Sequence, residues 1–270
     1  MKYGFRFKQF LPIIIEKIFG TDIIDKENCN MEITYTILLS FGVALFGYLI
    51  GGIPTARIIA YSKGIDILKV GSKNAGGTNV GRSVGRWWGY LTRFLDRRKC
   101  FLPCLFVHLL LTFANIPLID YSWRNELIIC ITGLSVAIGH SYSIYSKFKG
   151  GKAVACFAGF VLYTCPILFV VGLVLFLLLF KLSKRVSFAS VIAAPSVRLL
   201  SFIPTILNAT ITKDPSSYNG GTYFGPSFYL HLTYILGITY LLIATLLILR
   251  HLSNIKRLEK GTEPETHFKD

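Results

Sequence analysis

Charge is what this sequence has least of. Charged residues make up 16% of the 270-residue chain, against roughly a quarter of a soluble domain. Apolar residues make up 53% and the mean hydropathy is +0.55. A soluble core does not need so apolar a composition, so the chain reads as an integral membrane protein. Acidic residues are scarcer than basic ones, 14 against 29, which leaves a net charge of +15. Nucleic-acid binders share that imbalance, but no helix or sheet reader of bases accompanies it here. Lys and Arg retained in cytoplasmic loops account for it more simply. No nucleic-acid partner is expected.

Paired cysteines are also lacking. The six, Cys29, Cys100, Cys104, Cys130, Cys156 and Cys165, lie mostly in apolar runs with no Cys-x-x-Cys pair and no matching His spacing. They read as small core or lipid-facing residues rather than as a disulfide framework or a metal site. Neither a metal nor a cofactor is expected.

Several catalytic signatures are missing as well. There is no G-x-S-x-G elbow, no H-E-x-x-H, and no His-x-x-x-x-Asp of the commoner glycerolipid acyltransferases. Gly150-Gly151-Lys152 suggests a nucleotide loop, but Ser146 stands where the leading glycine should be and Ala153 where the hydroxyl residue should follow. The Walker reading fails on both counts. A nucleophile-plus-base scheme is hard to assemble from what remains. Positioning and charge stabilisation of reactants that carry phosphate themselves is the chemistry left open.

What the chain does have is long uncharged runs. The first spans 33 to about 53 and contains Gly42, Gly47, Gly51 and Gly52, which permit close helix packing. Ten Lys/Arg against Asp66 and Asp96 follow between Arg57 and Lys99, placing that segment on the cytoplasmic side. Further runs cover 100–119, 127–146, 153–180, 186–197 with 199–212, and 215–249. The stretches 119–127 and 208–226 lack a basic excess and read as external; 147–152, 181–185 and 250–260 are basic and read as cytoplasmic. The run 153–180 is basic at both ends with Pro166 near its middle, which predicts two half-length helices in a hairpin. The expected fold is all-α and polytopic, with roughly five to seven transmembrane helices and cytoplasmic-side phosphate-binding loops. Residues 1–30 read as an N-terminal extension, a candidate interfacial helix with no signal-peptide cleavage site. Residues 31–264 read as a single domain and 265–270 as a tail.

Four polar segments share the predicted cytoplasmic side. In 69–82, glycines with Ser72, Asn74, Thr78 and Asn79 can turn backbone N–H groups around an anion, and Arg82 adds a planar fork suited to phosphate. In 139–152, Gly150, Gly151 and Lys152 offer either a phosphate pocket or a flexible basic loop, and His140 is either structural or catalytic. In 184–190, Arg185 and Ser187 read equally as a boundary charge and a packing residue. In 250–257, His251 and Asn254 share one helix face. Asp96 and Lys99 are spaced to pair across one helical turn.

Taken together, Gly-Gly-Ile-Pro-Thr (51–55), Lys-Gly-Ile-Asp-Ile (63–67), Val-Gly-Ser-Lys-Asn-Ala-Gly-Gly-Thr-Asn-Val-Gly-Arg (70–82), Gly-His with Phe-Lys-Gly-Gly-Lys-Ala-Val-Ala (139–155), Arg-Val-Ser-Phe-Ala-Ser (185–190) and Asn-Ile-Lys-Arg-Leu-Glu-Lys-Gly-Thr-Glu (254–263) resemble the PlsY family of bacterial acyl-phosphate:glycerol-3-phosphate acyltransferases. The resemblance runs over about 45–264, in the family's order. It implies a multi-pass enzyme of the bacterial inner membrane with its active site facing the cytoplasm. Such an enzyme moves a fatty acyl group from acyl phosphate to the sn-1 hydroxyl of glycerol 3-phosphate, giving lysophosphatidic acid for phospholipid synthesis. An acyl-phosphate synthase and a second acyltransferase would be its functional partners, and membrane lipids its surroundings.

By position, the resemblance makes Ser72, Arg82, Lys152, His251 and Asn254 catalytic. Asn74, Gly76, Gly77, Thr78, Asn79, His140, Gly150, Gly151, Arg185 and Ser187 become substrate-binding. Acyl phosphate would lie on the first loop and a second phosphate near His140, Gly150, Gly151 and Lys152. The chain departs from the family at Leu252, where Arg is usual after the histidine, and at Cys156, where Thr is usual. It departs again at the charged stretch from Arg93 to Lys99 with Cys100, where an apolar helix ending in Lys-Gly is usual. Two readings follow: an active acyltransferase, and a paralogue that binds phosphorylated lipid with little or no turnover. A transporter fits less well, because the charges cluster at one face instead of lining the midplane.

Overall fold

Backbone that leaves water must satisfy its own hydrogen bonds, which leaves a long apolar run little choice but helix. The computed structural model describes residues 21–113, 123–201 and 234–268, with side chains from 33, 124 and 235 onward in each. Ten α-helices and a 3-10 turn (Ile144–Ser146) occupy these residues, and no strand is found among them: α1 (Thr21–Gly52), α2 (Thr55–Tyr61), α3 (Gly77–Ser83), α4 (Arg86–Phe113), α5 (Trp123–Ser141), α6 (Val154–Thr164), α7 (Pro166–Ser183), α8 (Val186–Leu200), α9 (Tyr234–Arg250) and α10 (Leu252–Glu259). The expectations for residues 1–20, and most of those for the stretches 119–127 and 208–226, lie outside the described residues.

The glycines of the first run do what small residues do in lipid, letting two backbones touch. A Cβ on Gly51 would fall 2.2 Å from the Val136 carbonyl oxygen, and one on Gly139 would fall 2.1 Å from that of Tyr48. This crossing joins α1 to α5 along their length. Around it, Val136, Phe160, Tyr240, Ile243 and Leu247 form a fully buried core drawn from α5, α6 and α9. Inside that core the Tyr240 and Thr164 hydroxyls satisfy each other at 2.5 Å.

The helix break expected near Pro166 is present. α6 stops at Thr164, Cys165 leaves the helical conformation (φ −153°, ψ 88°), and Pro166 begins α7, where its missing N–H costs no hydrogen bond. The two helices are unequal, 11 and 18 residues, so only α6 is short. Lys152 before the hairpin and Ser187 after it reach one hydrogen-bond network, described below, so the chain returns to the end it left.

Among the described residues three helices, within Ile33–Tyr61, Arg124–Ser146 and Pro166–Ser183, are long and apolar enough to cross a bilayer, and the bent pair α9–α10, with its 59° bend, makes a fourth. Length and apolarity alone therefore do not reach the expected count of five to seven. The helix α4 shows why. The uncharged run was expected to start at residue 100, but the helix begins at Arg86 and carries Arg93, Asp96, Arg97 and Lys99 into the protein. Asp96 and Lys99, both buried, pair at 3.0 Å, and Asp96 also accepts a hydrogen bond from Thr55. The basic stretch is thus half loop and half helix.

Candidate active site

The 69–82 loop is held from within. Asn79 is 1% exposed. Its Nδ2 donates to the carbonyls of Ile67, Val70 and Asn74 at 3.0 to 3.1 Å, and its Oδ1 accepts the Ser72 N–H at 3.0 Å. The side chain expected to face a phosphate is consumed in fixing the loop. Gly71 (φ +55) and Lys73 (φ +54) take the left-handed turn this requires. Ser72, Asn74, Gly76, Gly77, Thr78 and Arg82 are thereby presented along one wall of a cavity of about 1030 Å³.

The opposite wall comes from the far half of the chain. Lys152 Nζ donates to Asn254 Oδ1, and Asn254 Nδ2 donates to Glu263 Oε1 at 2.7 Å. Ser187 donates to the same Oε1 at 2.5 Å, and Arg257 pairs with Oε2 at 2.7 Å. Burial alone would raise the Glu263 carboxyl's pKa, but these donors hold it below its ordinary value. Burial also lowers Lys152 to about 8, an effect that nearby Arg257, Arg250 and Arg82 reinforce and Glu263 opposes. His251 hydrogen-bonds the Leu247 carbonyl through Nδ1 at 2.8 Å. A carbonyl can only accept, so Nδ1 carries the proton and Nε2 keeps its lone pair.

Gly150 and Gly151 play a different part from the one their residue type suggested. Neither reaches this cavity, whereas Lys152 does. A Cβ on Gly150 would fall 2.1 Å from the His140 carbonyl oxygen, and one on Gly151 would fall 2.1 Å from His140 Nε2. The glycines let the loop fold onto His140, where the Gly151 N–H donates to the His140 carbonyl at 2.9 Å. Arg250 grips the loop from the other side, donating to the Gly151 and Gly150 carbonyls at 3.2 Å each. His140 itself lines the cavity, with Nδ1 3.7 Å from Asp96 Oδ1. Arg185 does not line it.

Between the two walls lie guanidinium groups that the sequence reading passed over. Arg93 and Arg97, one turn apart on α4, line the cavity and have no carboxylate partner among the described residues. Arg93 Nη2, Arg97 Nε and Arg82 Nε are buried without a hydrogen bond. Buried donors left unpaired cost free energy unless a ligand or water supplies acceptors, so a cavity lined by these guanidinium groups suits an anion. From this polar floor the cavity continues into an apolar slot. Phe169, Leu173, Phe176 and Phe180 of α7 face Ala193 and Val197 of α8 across it.

Glu263, Arg257, Arg93 and Arg97 complete the site beyond the residues that the sequence marks. Glu263 closes the last of the quoted motifs, and an acid ending a basic run was the signal available. Arg93 and Arg97 gave none, because a cation on a helix facing solvent and one facing a cavity look alike in sequence.

The geometry defines a helical membrane protein with a cationic pocket opening onto an apolar slot. Residues 41–261 match the family of glycerol-3-phosphate acyltransferases. The glycerol-3-phosphate acyltransferases of Staphylococcus aureus strains Newman and JH9 are each 36% identical over 224 residues, covering 82% of this chain and 95% of the relative. The fold is also similar to crystal structures of PlsY (YgiH), an integral membrane glycerol 3-phosphate acyltransferase, in its glycerol 3-phosphate and lysophosphatidic acid forms. Those matches have TM-scores of 0.66 and 0.64 at 29% identity, cover 84% of this chain, and cover 96% and 94% of the solved chains. The chain therefore belongs to the glycerol-3-phosphate acyltransferase family and is an acyltransferase.

Proposed function

We propose that the protein takes a fatty acyl group from acyl phosphate and places it on the sn-1 hydroxyl of glycerol 3-phosphate at the cytoplasmic face of the inner membrane. The observation that carries this reading is the single cavity, in which two cation-bearing polar walls meet one apolar slot. Acyl phosphate needs one phosphate site and a chain slot; glycerol 3-phosphate needs a second phosphate site. The loop with Ser72, Asn74, Thr78 and Arg82 suits the donor phosphate. Lys152 with His251 and Asn254 suits the acceptor, with Ser187 acting through Glu263.

In this reaction the hydroxyl oxygen bonds to the acyl carbon while the acyl–phosphate C–O bond breaks, and the hydroxyl proton leaves with the departing inorganic phosphate. No enzyme nucleophile is needed. The protein's share is orientation and stabilisation of charge by donors already in place. The reading places the enzyme after a step that makes acyl phosphates and before a second acylation of the lysophosphatidic acid formed.

Three of the departures from the family pattern stand away from this cavity, while Arg93, Asp96 and Arg97 of the charged stretch line it. Leu252, Cys100 and Cys156 do not line it; Cys100 and Cys156 are buried and donate to the Gly133 and Asp96 carbonyls. Membranes carrying the chain, given palmitoyl phosphate and labelled glycerol 3-phosphate, are expected to release lysophosphatidic acid and inorganic phosphate in equal amounts. Absence of product from the wild type, with product restored by Leu252→Arg, would establish the non-turnover reading instead.

A further inference from the structure

Residues 264–268 lie past the stretch that matches the family, and they hold the guanidinium of Arg82. Its Nη2 donates to the carbonyls of Pro264 at 3.3 Å and Glu265 at 3.2 Å and to Thr266 Oγ1 at 2.8 Å. Thr266 is buried, and its own N–H donates to the Lys184 carbonyl at 2.8 Å, which ties the segment to the turn between α7 and α8. At its inner end Glu263 anchors it through Ser187, Asn254 and Arg257. At its outer end the Phe268 ring lies 4.9 Å from the Arg93 guanidinium and seats on Gly81, where a Cβ would come within 2.6 Å of the ring. Both Arg82 and this strap line the cavity, which keeps its volume with the strap in place.

A guanidinium on a flexible stem loses affinity each time it must be ordered by its ligand, and a partner that fixes it beforehand removes that cost. The three strap acceptors occupy Nη2 and leave Nη1 for an anion. The geometry points to Thr266 as a positioning residue: the strap it anchors holds Arg82 in the orientation that receives the substrate phosphate. This rests on the proposed phosphate role of Arg82. Thr266 acts through Arg82 and does not touch the reacting atoms.

Purified full-length protein is compared with Thr266→Val, Thr266→Ser, Arg82→Lys and the Arg82→Lys/Thr266→Val pair. Thr266→Val keeps the shape and loses the acceptor; kcat/KM should fall about tenfold, the worth of one hydrogen bond to a charged group. The loss should appear in KM for the phosphate substrate, and Thr266→Ser should stay within about twofold of wild type, since its hydroxyl still accepts. The double variant should be no worse than Arg82→Lys, because the two residues act as one unit. Unchanged or higher activity in Thr266→Val, or fully additive losses in the pair, overturns the assignment. If Thr266→Val does not purify folded, Phe268→Leu loosens the strap while sparing the acceptors, and a KM equal to wild type there overturns it as well. If the wild type turns over no acyl phosphate, the function reading fails separately. The positioning role is then read from the rise in melting temperature with inorganic phosphate, expected in the wild type and diminished in Thr266→Val; equal shifts overturn it.

Discussion

Lys152 is the residue whose surroundings most affect its chemistry. Burial, reinforced by Arg257, Arg250 and Arg82, brings its pKa down to about 8. It is charged below that value and neutral above it, so the free enzyme loses a cation from the cavity wall, the one proposed to meet the acceptor phosphate, as pH rises through about 8. The pH profile of kcat/KM, which reports the free enzyme, should fall on that limb. Lys152→Arg, which stays charged at any working pH, should lose that limb even if its overall rate is lower. A profile flat to pH 9.5 in the wild type would remove Lys152 from phosphate binding. At this scale the sequence showed which residue types were present and not which way they faced. Asn79 and Thr78 are neighbours in one motif and both border the cavity, yet the Asn79 amide is spent on backbone carbonyls inside the loop. Only the fold distinguishes them, because the partners of Asn79 are backbone carbonyls that carry no side-chain signature.

Among the elements, the 150–152 loop shows how a helix end can set a site on a loop it does not belong to. Arg250, the last residue of α9, spans the Gly150 and Gly151 carbonyls with two nitrogens and lies over the Tyr142 ring. Arg250→Lys keeps the charge but cannot bridge two carbonyls with a planar fork. A drop in kcat/KM of about tenfold is expected with little change in melting temperature, about what one charge-assisted hydrogen bond contributes. Wild-type kinetics in that variant would show the loop to be rigid without the clamp. The break before Pro166 was legible, since proline at a helix start leaves a local mark in sequence. The start of α4 was not. Its basic residues looked like a loop in solvent, whereas in the fold Asp96 and Lys99 pair and Arg93 and Arg97 reach into the cavity.

For the molecule as a whole, the all-helical architecture followed from composition and the spacing of uncharged runs. The number of crossings did not, because a short apolar helix such as α6 and a charged one such as α4 meet no length-and-apolarity rule. The hairpin α6–α7 gives a direct test. Cysteines at positions 149 and 181, each in a background without native cysteines, should be reached by a membrane-impermeant label from the same side of the membrane. Labelling from opposite sides would mean that the run crosses once, and Lys152 and Ser187 could not then share the Glu263 network.

The glycine crossing of α1 and α5 bears on how the protein is made. Tyr48 of α1 donates to the carbonyl of Tyr142, 94 positions later, just beyond the turns where Gly51 and Gly139 let the backbones meet. When α1 leaves the ribosome its partner has yet to be translated. The span within Ile33–Tyr61, uncharged as far as residue 56, must enter the bilayer on its own apolarity and wait there with its notched face open to lipid. Assembly is then a docking of two helices already inserted, and a larger side chain at Gly51 would leave insertion intact while blocking the docking that follows.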